Sequence, residues 1–139
     1  MKTIKFFLTV LIFIIYFYDS FIWAQGKIIT STEANQLFGS VLVSISMSTH
    51  EFEQIINQSK NALRVKISSN NLFITNSEKS ILYKSGGNLS PDENFHTFSI
   101  LVIKELIAKG QSNIVFFEQR NDVLTITIGE FTLEFSTCC

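Results

Sequence analysis

Beyond residue 25 the apolar side chains keep changing their spacing, between every second residue and every third or fourth. This alternation constrains the fold more than any other feature of the chain. Thr30-x-x-Glu33 has the form of a capping box and predicts a short helix to about Phe38, stopped at Gly39. Val41, Val43, Ile45 and Met47 then alternate with Ser44, Ser46 and Ser48, the pattern of a strand with one buried face. Ser48-x-x-Glu51 is a second capping box, and Phe52, Ile55, Ile56 and Ser59 follow at helical spacing to about Lys60. Leu63, Val65 and Ile67 return to period two. Asn70-Asn71 predicts a hairpin turn, and short strands are expected over 72–75 and 81–84, closed by Gly86-Gly87-Asn88.

Ser90-Pro91-Asp92-Glu93 carries the signals of a helix start. It predicts a long helix over 91–109, ending at Gly110, with an apolar middle that implies burial on more than one side. Three strands are expected after it, over 113–119, 123–128 and 131–135. Gly129-Glu130 marks either a two-residue turn or a bulge. The order predicts one small α+β domain: a mainly antiparallel, twisted sheet of about six to seven strands. The long buried helix 91–109 and one or two shorter helices pack on one face of it.

The first residues read as an export signal. Lys2 and Lys5 precede a run from Phe6 to Tyr18 without charge, and Ala24 offers a small residue for cleavage. Cleavage after Ala24 leaves 115 residues, and cleavage after Gly26 fits nearly as well. The alternative is an uncut membrane anchor. Phe6 to Trp23 is 18 residues, short for a span, and contains Asp19. The expected location is periplasmic or extracellular. With Lys2, Lys5 and Asp19 in the leader, the remainder holds nine cations and eleven anions, scattered without a basic stripe. That argues against nucleic acid as the main partner. A membrane enters only if the leader is retained. The two cysteines, Cys138 and Cys139, are adjacent and have no distant partner, so the core alone must hold the domain. The pair reads as a frayed tail, as a disulfide link between two chains, or as ligands for a soft metal such as Cu(I).

Candidate chemistry is sparse. His50-Glu51-Phe52-Glu53 begins like a zinc-protease helix, but that motif needs a second histidine where Gln54 stands. The simpler reading is a helix N-terminus with acidic residues at the positive end of its dipole. His96 is the other histidine. Asp92 lies four residues earlier, so a helical Asp92–His96 contact is expected, either as a base with its carboxylate or as a local helix pair. No serine sits in a nucleophile-elbow or Ser-x-x-Lys pattern, and Gly86-Gly87 lacks the lysine and spacing of a phosphate loop. No cofactor is implied. Asn57-Gln58-Ser59 and Asn88-Leu89-Ser90 match the N-glycosylation pattern, which matters only in a glycosylating pathway.

The chain has 14 phenylalanines. Val115-Phe116-Phe117 places apolar groups on both faces of one strand, so that strand is either central and covered twice or exposes one face to a partner. The reading favoured on this pattern is an exported, non-enzymatic domain that binds a protein or a small apolar ligand. The alternatives are a hydrolase-like site at His96 or His50, and an envelope-associated structural protein held by its leader or by Cys138 and Cys139.

Overall fold

The computed structural model describes residues 3–5, 26–90 and 94–134. The hydrophobic run from Phe6, Ala24, Asp92 and the pair Cys138–Cys139 lie outside these residues. No described helix is long and apolar enough to cross a membrane.

The domain is α+β and antiparallel, as the alternating periods require, but its strands divide into two sheets rather than one. Nine strands are described: β1 (Lys27–Thr30), β2 (Val43–Ser48), β3 (Ala62–Ser68), β4 (Asn71–Asn76), β5 (Ile81–Lys84), β6 (His96–Ser99), β7 (Ile114–Arg120), β8 (Val123–Ile128) and β9 (Phe131–Glu134). The first sheet runs β1-β9-β8-β7-β2 and the second β5-β4-β3-β6. Three helices join them: α1 (Ser31–Phe38), α2 (Thr49–Ile56) and α3 (Ile100–Gly110).

One core unites the sheets. Val115, Phe117, Leu124, Ile126, Ile128 and Leu133 from the first sheet cluster with Leu63, Val65, Leu72 and Ile74 from the second. Phe52, Ile55 and Ile56 of α2 and Ile103 and Leu106 of α3 complete the cluster. Phe52 meets Phe117 edge to face, with centroids 5.2 Å apart at 89°. That geometry adds roughly 0.5–1.5 kcal/mol beyond area burial.

The expectation that all helices share one face needs correction. In the first sheet Thr125, Thr127 and Thr132 alternate with the core residues, so they point outward, yet they are buried. They are covered by α1, whose Ala34 is fully buried. Thr132 Oγ1 lies 3.2 Å from Ser31 Oγ and 2.8 Å from Thr127 Oγ1, which satisfies the hydroxyls beneath the helix. The capping box that starts α1 forms as the sequence implies. Thr30 Oγ1 accepts from the Glu33 N–H at 3.2 Å, and the Glu33 carboxylate accepts from the Thr30 N–H at 2.8 Å. These bonds hold the Glu33 carboxyl below its usual range, the backbone bond first.

Several boundaries also move. The segment 96–99 is strand β6, not the second turn of a long helix. It pairs with β3, placing Phe98 opposite Leu63, both buried. Thr97 and Phe98 suit a strand, and the pairing outweighs the helix-start signals before them. Consequently α3 begins at Ile100, with Ser99 at the N-cap position but no side-chain capping bond, and Leu101 is 70% exposed, so the helix is not buried all round. Its αL cap is Gln111 rather than Gly110, and Gly110 serves close packing instead. A Cβ there would stand 2.5 Å from the Ile128 carbonyl oxygen. The β3–β4 turn is Ser69-Asn70, both with positive φ, one residue earlier than the asparagine pair suggests. Helix α2 stops at Ile56, with Asn57 as its C-cap. Gly129-Glu130 is a two-residue turn, since Ile128 pairs with Phe131. Gly129 takes φ +60, a conformation that favours glycine.

Candidate interaction surface

The outward side of the β2–β7 corner holds the most unusual combination of residues. Strand β7 is interior, between β8 and β2. Its inward side chains, Val115 and Phe117, are fully buried, whereas outward Ile114 and Phe116 remain 46% and 36% exposed. Covering by helix α1 therefore does not extend to this end of the sheet. Neighbours on β2 are serines: Ser46 is opposite Phe116 and Ser48 opposite Ile114. Leu42, immediately before β2, is 64% exposed. Two neighbouring apolar side chains on a sheet face, bordered by the hydroxyls of Ser46 and Ser48, form a wet-rimmed apolar patch, and Leu42 lies at the other end of the strand pair, near Gln119.

A buried arginine fixes the opposite end of the β2–β7 pair, where α1 covers the sheet. Arg120, at the end of β7, is 1% exposed. Its Nη2 donates to the Glu118 carboxylate at 2.8 Å, its Nη1 to the Gly39 carbonyl at 2.7 Å and to Asn35 Oδ1, and its Nε to Thr125 Oγ1 at 3.3 Å. One side chain thus ties the C-terminal end of α1 to β7 and β8. It also locates the segment Gly39–Leu42 that feeds β2, where the Leu42 N–H donates to the Gln119 carbonyl at 2.8 Å. By sequence the expected strand over 113–119 stops short of Arg120, which falls in the connection to 123–128. The available signal was Glu118-x-Arg120, which sets two opposite charges on one strand face.

The residues singled out as candidate chemistry are scattered. His50 lies exposed in the first turn of α2, its Nε2 3.3 Å from Gln54 Nε2, an amide and not a carboxylate. Ser48 caps that helix, its Oγ accepting from the Glu51 N–H at 3.1 Å. His96 is half-buried on β6, where burial first and the Lys66 ammonium second hold its imidazole below the usual histidine range. Because His96 is on a strand, the helical i, i+4 relation to Asp92 does not apply to it. Between α2 and α3 lies an open concavity of about 470 Å³, lined by Glu53, Ile56, Asn57, Lys104, Ile107 and Ala108. It contains a carboxylate and an amine but neither histidine. Among the described residues no group of three or more metal-ligating side chains is assembled. Gly86 and Gly87 pack against the Asn71 side chain, and Gly87 has φ +69, which is turn chemistry. Asn57 and Asn88 are both exposed.

Comparison of the chain with protein-family models, with curated proteins and with solved structures finds no match in any of the three.

Proposed function

We propose that the chain is an exported, non-enzymatic binding domain that engages another protein through the outward face of β2 and β7. The observation that supports this is the exposure of Ile114 and Phe116 on an interior strand whose other face is fully buried. Folding leaves 46% of Ile114 and 36% of Phe116 in water, and covering that remainder on binding removes it from water at about 25 cal/mol per Å². The serines alongside supply hydroxyls that satisfy a partner's polar rim without long, entropically costly side chains. A small apolar ligand fits this face less well than a protein does, because ligand sites are concave and the concavity between α2 and α3 includes neither Ile114 nor Phe116.

The test is site-specific photocrosslinking in the expressing cell. A photoreactive residue replacing Phe116 is expected to give a discrete adduct with a different protein, identified by mass spectrometry. The same residue replacing Glu78, in the β4–β5 turn of the other sheet, is expected to give none. The absence of a foreign adduct at Phe116, or identical patterns at the two sites, refutes the assignment.

A further inference from the structure

The outward sheet face is not the only open surface on this strand: among the described residues the edge of β2 is guarded only by a bulge just before it, where the Leu42 N–H joins Val43 opposite Gln119. An edge strand offers unpaired backbone groups to any passing strand, and proteins blunt that hazard with charge, proline, bulges or short length. The other three sheet edges show such devices in the strand itself. Strand β1 has four residues and sets Lys27 against Glu134, β5 has four, a register shift opposite Ile74 and Thr75, and Lys84 at its end, and β6 has four. Strand β2 has six residues, pairs with β7 in unbroken register from Val43 to Ser48, and carries no charge and no proline. The uncharged stretch extends back through Val41 and Leu42.

From this edge we infer that β2 pairs with β2 of a second copy of the chain, antiparallel about a two-fold axis at Ser46. The ladder decides which groups are available. The Thr49 N–H donates to the Asn113 carbonyl at 2.8 Å, so within the in-register stretch Val43–Ser48, beyond the bulge at Leu42, the odd-numbered residues bond toward β7. The N–H and C=O of Ser44 and Ser46 therefore point away from it, because the bonding direction alternates along an antiparallel strand. All three serines, Ser44, Ser46 and Ser48, are exposed. A two-fold at Ser46 sets Ser46 against its own copy and Ser44 against Ser48 of the copy on the outward face. On the inward face it sets Ile45 against Met47 of the copy. Hydroxyl meets hydroxyl and apolar meets apolar, with no like charges opposed, which is the self-complementarity a two-fold interface demands. Val43 and Ile45 are half-buried at the present edge and gain cover from the added strand. The product is one continuous ten-stranded sheet that carries both Ile114–Phe116 patches on the same side. A strand pair of this length buries less than about 1,200 Å², so the dimer is expected to be weak, with a dissociation constant in the micromolar range.

The inference is separate from the face assigned above, since it concerns the strand edge. Its test is sedimentation of the product of the full chain, kept in reductant so that Cys138 and Cys139 contribute no link. The expected result is twice the chain mass with concentration-dependent dissociation. Ser46→Lys and Ser46→Glu each oppose like charges across the axis and are expected to weaken the dimer at least about tenfold. Mixing the two variants is expected to restore it, a result that misfolding of either variant does not produce. A wild-type chain that stays at one chain mass up to about 100 μM overturns the inference, as do charged variants that dimerise as well as wild type. Neither result affects the foreign adduct at Phe116, so the two assignments fail independently.

Discussion

Replacing Arg120 with methionine tests whether the α1-covered end of the β2–β7 pair is held by one buried guanidinium. The substitution keeps much of the volume of the side chain and removes all its donors. The Glu118 carboxylate, 12% exposed, loses its cation, and the Gly39 carbonyl and Asn35 amide oxygen lose their donors. Stranding a buried charge costs about 3–5 kcal/mol. The lower half of that range applies, because slight exposure lets water reach Glu118. A loss of about 3–4 kcal/mol is a large part of the roughly 5–15 kcal/mol that stabilises a domain. At about 4 °C per kcal/mol for this size it lowers Tm by about 12–16 °C. Urea unfolding followed by circular dichroism reads the change as a lower midpoint at constant slope. Adding Glu118→Leu to Arg120→Met removes the stranded charge and is expected to recover at least about 2 kcal/mol. Amide exchange should show the loss of protection concentrated in α1, which Arg120 tethers, rather than in the β3–β6 sheet. An Arg120→Met cost below about 1 kcal/mol, or a double variant no more stable than the single one, refutes the clamp.

Two further outcomes follow from particular contacts. Gly110→Ala drives a methyl to 2.5 Å from the Ile128 carbonyl oxygen and is expected to destabilise by about 1–3 kcal/mol despite alanine's better helix propensity, a sign read directly by thermal melting. His96, with its protonation disfavoured in the fold by burial and by Lys66, takes up a proton more readily when unfolded. Its contribution to stability is therefore complete above the unfolded value of about 6.5 and declines as pH falls below it. His96→Gln is expected to flatten the stability profile in that window, and urea midpoints measured from about pH 7 to pH 5 check it against wild type.

How much of the candidate surface was legible varies by residue. Val115-Phe116-Phe117 announced a strand with two apolar faces and left two outcomes open. The structure combines them: β7 is flanked by strands on both sides, but only its inward face is covered. The serine alternation on β2 implied a covered and a solvated face, which holds from Val43 to Ser48 with Met47 buried and Val43 and Ile45 half-buried, whereas Val41 lies before the strand and is 38% exposed. Nothing in that alternation says that β2 lies at an edge, because strand order is set by which strands meet in space. Arg120 was equally hidden. Its burial depends on Asn35 and Gly39, more than 80 residues away in sequence, and such separations leave no local trace.

Local chemistry by itself determined the antiparallel α+β class, the capping box of α1, the Ser48 cap of α2 and the strand over 123–128, because each depends on side-chain spacing within a few residues. Only tertiary structure decided that the strands form two sheets around one core, that α1 crosses to the outer face, and that 96–99 joins β3 as a strand. In that last segment a helix start and a strand were both available locally. Burying Phe98 against Leu63 with a complete backbone ladder chose between them, since long-range burial and hydrogen bonding outweigh propensities worth less than about 1 kcal/mol per residue.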